Sequence, residues 1–117
     1  MIVLKLGDVM DIHNMTYEDG TFDTVIDKAT LDAIICGDES VCHPEKVISE
    51  IYRVLKNNGV YICITYGVPE ARMEYFQNPD HKWKITHLTI RAFFKIFFIF
   101  SKIGEFWRFL SSCLYLP

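Results

Sequence analysis

The stretch from Thr21 to Ile35 most constrains the fold, because it joins two apolar segments of different periodicity through a short polar corner. Before the corner come the aromatic and β-branched types that suit a short buried strand, namely Phe22, Val25 and Ile26. After the corner, apolar residues recur at helical spacing, namely Leu31, Ile34 and Ile35. The sequence therefore predicts a strand, a corner over residues 27–30 and a helix.

The corner Asp27-Lys28-Ala29-Thr30 directly follows the predicted strand. In an open α/β sheet, ligands bind in the crevice at the carboxyl ends of the strands, so the corner is a candidate binding site. A plainer interpretation is equally open for Asp27 and Thr30, because these residue types commonly cap the start of a helix. Lys28 is more typical of a solvated side chain than of a base.

The rest of the chain alternates between helix and strand patterns. An apolar stripe from about Pro44 predicts a helix, and Asn57-Asn58-Gly59 is expected to end it with a left-handed cap. Val60–Thr65 is almost continuously apolar, which is typical of a strand covered on both faces. Residues 70–77 predict a further helix, and Trp83–His87 alternates like a half-covered strand. This order predicts an α/β fold with a parallel crossover.

Composition limits the chain to one small domain and excludes several classes of protein. The 117 residues are 50% hydrophobic and 23% charged, with a net charge of −3, as expected for a globular core. The basic residues are dispersed among aromatics, so nucleic-acid binding is not predicted. Cysteines at 36, 42, 63 and 113 form no Cys-x-x-Cys pair, and Cys42-His43 lacks further zinc ligands at regular spacing. We expect reduced thiols, no metal and a cytoplasmic location.

The chain changes character at Arg91, so we divide it into residues 1–90 and an aromatic-rich tail, 91–117. Charged residues interrupt the tail too often for a spanning helix. An interfacial helix that contacts a membrane and a buried segment are the alternatives, and the buried segment is favoured.

Three segments together resemble the class I S-adenosylmethionine-dependent methyltransferases: Gly7–Asp11, Asp19–Ala33 and Val54–Tyr61. Within that family, residues 27–33 resemble the eukaryotic methyltransferase-like branch, which includes lysine methyltransferases acting on elongation factor 1-alpha. Trp83–His87 is similar to the segment after the fifth strand in those proteins. The resemblance implies a Rossmann-like sheet with helices on both faces, S-adenosylmethionine as cofactor and an elongation factor-like protein substrate.

The resemblance also implies roles for individual residues. Asp8 and the Val9 amide would bind the adenine, and Asp27 and Lys28 would lie near the methionine moiety and the reactive methyl. Thr30 and Leu31 would shape the acceptor side of the pocket. Asp27 and Asp32 are the predicted catalytic carboxylates, with Asp32 assisting loss of a proton from a lysine amine.

The sequence lacks the glycine-rich loop that follows the first strand in this family, since no two of its six glycines are closer than eight positions. Ile2–Leu6 matches the family's third strand, which implies that the first two strands are missing and that the chain is truncated. We therefore expect a family member that is weak or inactive as an isolated chain. The alternative is a non-catalytic interaction module that docks through its aromatic tail. The tail is also a candidate cover for the sheet edge that the missing strands leave open.

Overall fold

A computed structural model describes residues 10–38, 40, 42–90 and 95–102. The strand predicted at Ile2–Leu6 and the adenine contacts predicted at Asp8 and Val9 lie outside these residues. The described chain forms a four-stranded sheet with helices between its strands. In chain order the elements are β1 (Phe22–Lys28), α1 (Thr30–Ile35), α2 (Pro44–Val54), β2 (Leu55–Thr65), α3 (Pro69–Met73), a 3₁₀ turn (Glu74–Phe76), β3 (Trp83–Ile90) and β4 (Lys95–Lys102).

The strands lie in the order β1-β2-β4-β3, with β1 parallel to β2 and β4 antiparallel to both of its neighbours. This arrangement confirms the predicted α/β class. β1 continues beyond Ile26, because Asp27 and Lys28 still pair with Cys63 and Ile64 of β2. The polar corner is therefore the last part of a strand as well as the start of a helix.

One face of the sheet carries the core. The predicted stripe on α2 is buried, and it packs with aromatic side chains of the sheet and the 3₁₀ turn, namely Tyr61, Phe76, Phe98 and Phe100. The Phe76 and Phe100 rings lie 4.5 Å apart between centroids. Burial of each large apolar side chain stabilises the fold by about 1.5–3 kcal/mol. Alternate residues point to the other face, where Ile26 and Leu88 remain partly exposed.

The predicted end of α2 is wrong in its position and its chemistry. The helix ends at Val54, and Leu55 is extended and fully buried. Lys102 of β4 supplies the cap, because its Nζ donates to the carbonyl oxygens of Tyr52 at 2.8 Å and Leu55 at 2.9 Å. Asn58 does adopt a left-handed conformation, with φ 66°, but it does so inside β2 at an irregularity of its pairing with β1.

The described part of the aromatic tail is β4, which lies between β2 and β3. β4 therefore does not cover the edge of β1 that faces away from β2, which has no partner among the described strands. Phe98 and Phe100 are fully buried, so these side chains are not available as a docking surface. The division at residue 90 stays a prediction, although β4 shares its sheet with the earlier strands. Within the described ranges, no helix is long and apolar enough to cross a membrane.

Candidate functional site

The carboxyl ends of β1 and β2 meet at one edge of the sheet. Their parallel pairing reaches Lys28 opposite Ile64, and the Ala29 N–H donates to the Ile64 carbonyl at 3.0 Å. Ala29 then takes a left-handed conformation, with φ 64°, and the chain turns into α1. The corner is thus fastened to the neighbouring strand, in the position where open α/β sheets bind ligands.

Asp27 is buried and has hydrogen-bond partners on both carboxylate oxygens. Its Oδ1 accepts the N–H of Thr30, the first residue of α1, at 2.8 Å, although the N-cap position itself is Ala29 and has no capping side chain. Its Oδ2 accepts the Tyr61 hydroxyl at 2.9 Å and lies 3.7 Å from the Cys63 Sγ. Burial raises the pKa of both the Tyr61 hydroxyl and the Cys63 thiol, and the nearby Asp27 charge adds to this. Both groups therefore remain protonated donors at neutral pH.

The other predicted residues of the corner have different environments. Lys28 is exposed, and Leu31 is buried in the core with 1% of its surface accessible. The Thr30 hydroxyl is buried and has no hydrogen-bond partner within the described part of the chain. At the corner, Lys28 is thus exposed to solvent, the Thr30 hydroxyl is buried without a partner in the described chain, and Leu31 belongs to the core.

Asp32, in the first turn of α1, is the centre of a second polar cluster. Its Oδ1 accepts the Thr65 hydroxyl and pairs with Arg72, whose Nε and Nη2 lie at 3.2 Å and 3.1 Å. Its Oδ2 accepts the Tyr66 N–H at 2.9 Å. Only 15% of the Asp32 side chain and 13% of the Arg72 side chain are exposed. The Asp32 carboxylate already accepts hydrogen bonds from these donors. Its predicted contact with the amine of an acceptor lysine stays a prediction.

Sequence reasoning missed Thr65, Arg72 and Gly67 as parts of this cluster. The Arg72 Nε also lies 3.1 Å from the Thr65 Oγ1, and the guanidinium lies against Gly67, where a Cβ would come within 2.6 Å of Nη2. An arginine next to a Gly-Val-Pro turn resembles any solvated helix residue in sequence. Arg72 has a partner because the chain after β2 folds back toward α1, which brings the guanidinium to Asp32.

The cluster holds a turn that projects from the carboxyl end of β2. Tyr66 and Val68 in this turn are each 59% exposed, although both have large apolar side chains. Their neighbours Thr65 and Gly67 are fixed by the cluster, since the Gly67 N–H also donates to the Thr65 hydroxyl oxygen at 3.2 Å. An exposed aromatic ring therefore lies on a rigid backbone beside the corner.

Two surface clefts in the described chain lie away from these residues. One of about 340 Å³ is lined mainly by Glu74, Tyr75, residues 77–79 and His81, and another of about 280 Å³ is lined by Ile34, Ile35, Gly37, residues 42–45 and Tyr75. Neither is lined by Asp27, Lys28 or Asp32. Within the described ranges, no three His, Cys, Asp or Glu side chains form a group that could hold a metal.

A sequence model of the methyltransferase domain matches residues 2–95 of this chain. The mouse protein named EEF1A lysine methyltransferase 4 is 29% identical over 106 residues, which is 84% of this chain and 42% of that protein. The mouse eEF1A lysine and N-terminal methyltransferase is 38% identical over 58 residues, 48% of this chain and 8% of that protein. This chain therefore spans less than half the length of these relatives.

Solved structures share the fold at low sequence identity. A SAM-dependent methyltransferase from Methanosarcina mazei gives a TM-score of 0.54 at 14% identity, covering 84% of this chain and 67% of that one. A chain of the complex that contains the Haloferax volcanii Trm112 methyltransferase activator gives 0.63 at 13% identity, covering 82% and 61%. With the polar corner at the carboxyl ends of two parallel strands, these similarities show that the chain belongs to the class I S-adenosylmethionine-dependent methyltransferases.

Proposed function

We propose that this chain is part of an enzyme that transfers the methyl group of S-adenosylmethionine to a lysine amine of a protein such as elongation factor 1-alpha. The observation that carries the proposal is the corner at Asp27–Thr30, which lies beside the end of a parallel neighbouring strand. The two relatives whose names include lysine methylation of eEF1A support the acceptor class.

The residues of the corner fit one part of a cofactor site. The buried Thr30 hydroxyl has no partner in the described chain, and a polar group of a bound cofactor would satisfy it. Lys28 is exposed and lies two residues before Thr30 in the chain, so we expect its side chain to contact the same ligand. Asp27 contributes indirectly, because its two oxygens hold Thr30 and Tyr61 in place.

The chemistry demands positioning more than proton transfer from the protein. The bound cofactor supplies a methyl group on a sulfonium sulfur, which is a good leaving group. The acceptor would have to present a neutral amine to that methyl group, and the corner Asp27–Thr30 would lie on the side of the pocket where the two meet. The task of the chain is to align the amine with the methyl group, to which rigid corners contribute strongly.

We further propose that the isolated 117-residue chain binds the cofactor weakly and is weak or inactive as an enzyme. Its sequence contains no closely spaced glycines that could form the family's glycine-rich loop beside the ligand. A cytoplasmic location and the protein substrate belong to the same proposal.

An NMR titration of the purified chain with S-adenosylmethionine tests both parts. We expect millimolar cofactor to shift the amide signals of Lys28, Ala29 and Thr30, and calorimetry to give a dissociation constant of about 1 mM or weaker. Shifts confined to other regions would contradict the site. Micromolar binding would contradict the weakness of the isolated chain.

Mass spectrometry of elongation factor 1-alpha after incubation with the chain and cofactor tests the acceptor. We expect little or no methylation, and any methyl groups should be on lysine. Methylation of another residue type would exclude the lysine assignment.

In the NMR titration with cofactor, a Thr30→Val variant keeps the shape of the side chain but removes the unpartnered hydroxyl. We therefore expect it to weaken the cofactor shifts.

A further inference from the structure

The Tyr66–Val68 turn has more structural support than an exposed turn ordinarily receives. Asp32 binds the Tyr66 N–H, while the Thr65 hydroxyl links Asp32, the Gly67 N–H and Arg72. The Asp32 and Arg72 side chains are both largely buried. A buried ion pair costs desolvation and seldom stabilises a fold more than an apolar pair would, so the benefit of this pair is the fixed geometry that it gives the turn.

The turn lies next to the corner at Asp27–Thr30. Lys28 and Ile64 pair at the ends of β1 and β2, and Tyr66 follows two residues beyond Ile64. The Tyr66 amide is 2.9 Å from the Asp32 carboxylate on α1, so the turn and the helix that starts at the corner are in direct contact. Tyr66 and Val68 therefore lie beside the corner, on the β2 side of it.

The geometry points to Tyr66 as a specificity-determining residue that contacts the alkyl chain and amine of the acceptor lysine, with Arg72 as the positioning residue of the turn. This inference rests on the proposed function. An aromatic face attracts an ammonium group in the encounter complex. An apolar wall of Tyr66 and Val68 then excludes water from the amine, which favours its neutral, nucleophilic form.

NMR titration of the chain with Nα-acetyl-lysine methylamide as the probe tests the proposed contact of Tyr66 with lysine and does not require catalysis. We expect the probe to shift the Tyr66 ring signals and the Gly67 amide signal. The norleucine analogue has the same alkyl chain without the ammonium group, and we expect it to bind about 2–5-fold more weakly.

Variants separate contact from positioning. Tyr66→Phe keeps the ring and should retain the probe shifts, whereas Tyr66→Leu should lose the difference between lysine and norleucine. Arg72→Gln should weaken the probe shifts and increase hydrogen exchange of the Tyr66 amide, although the ring is still present. Leu88→Ala removes a side chain of similar exposure, 58%, from β3 and is the matched control.

Lysine binding by Tyr66→Leu equal to that of the unmodified chain would overturn the inference, as would probe shifts confined to regions away from Tyr66. The cofactor titration on the same samples distinguishes the two proposals. Cofactor shifts at residues 28–30 without probe shifts at Tyr66 overturn this inference alone. If neither the cofactor shifts at residues 28–30 nor the probe shifts at Tyr66 occur, the proposed function is overturned as well.

Discussion

Gly67 lies just after β2, and the guanidinium of Arg72 occupies the space where its side chain would begin. In Gly67→Ala the new Cβ would come within 2.6 Å of Nη2, so the guanidinium must shift and its pairing with Asp32 is disturbed. We expect a loss of about 1–2 kcal/mol in the free energy of unfolding, because the shifted guanidinium pairs less well with the carboxylate. Urea denaturation followed by circular dichroism measures it.

The control for this prediction is the same substitution in a chain that lacks the arginine side chain. In an Arg72→Ala background, Gly67→Ala should cost less than about 1 kcal/mol, because no guanidinium remains to be displaced. Equal costs in the two backgrounds would mean that the added methyl group disturbs the backbone and not the ion pair.

At the same scale, Arg53 fastens the loop before β1 to α2. Its Nη1 donates to the Tyr17 carbonyl at 2.7 Å, its Nη2 to the Met15 carbonyl at 3.0 Å, and its Nε to Glu50 at 2.9 Å. Hydrogen bonds to Glu50 and Asp19 raise the pKa of Arg53, and the Arg53 hydrogen bond lowers the pKa of Glu50. Both side chains therefore remain charged across the ordinary pH range.

Arg53→Lys keeps the charge but cannot provide donors in all of these directions. We expect it to lower the free energy of unfolding by about 2–3 kcal/mol. Lys56→Gln is the control, because the Lys56–Asp23 pair is mostly exposed and should contribute less than about 1 kcal/mol. A similar small loss for both variants would show that the loop is held by its apolar contacts alone.

At the scale of elements, the junction between α2 and β2 depends on a lysine that is distant in sequence. Lys102 Nζ binds the last carbonyls of α2 and lies 4.3 Å from the centre of the Tyr52 ring. Lys102→Met should cost about 1–3 kcal/mol and speed hydrogen exchange in the last turn of α2. Lys84→Met, at an exposed strand position, should leave that exchange unchanged.

This junction also explains why some elements could be predicted from the sequence and others could not. The apolar periods of β1, α1 and α2 are local, and the structure confirms those elements. The true end of α2 depends on Leu55 entering the core and on Lys102 returning through the sheet. The Asn-Asn-Gly signal was a correct indication of a left-handed residue, but the context that placed it inside β2 is tertiary.

At the scale of the whole molecule, the candidate site also has one part that could be predicted from the sequence and another part that could not. The corner at residues 27–30 could be predicted because strand, turn and helix follow each other in the chain. The Asp32 cluster joins α1, the end of β2 and α3, which are separated by up to 40 residues. No pattern of spacing relates an acid in one helix to an arginine in another, so that part of the site required the structure.

His81 couples the stability of the whole fold to pH. Its ring stacks on Tyr52 at 4.6 Å, its Nε2 lies 3.3 Å from the Ser49 Oγ, and its Nδ1 has no partner among the described residues. Burial lowers the pKa of His81 below its usual 6.5, the Lys102 charge adds to the decrease, and Asp80 partly opposes it. As the pH falls below about 6.5, the unfolded chain therefore binds a proton more readily than the folded chain.

The stability from the neutral ring is consequently present above pH 6.5 and is lost as the pH falls through the lower folded pKa. We expect urea midpoints to decrease from pH 7 toward pH 5, and His81→Gln to reduce this slope. The carboxyls of Glu50, Asp11 and Asp38 also have lowered pKa values, but they titrate below about pH 4.5, outside this window. His87→Gln, at an exposed position on β3, should retain the original slope; equal slopes for the unmodified chain and His81→Gln would exclude the stacked imidazole as the cause.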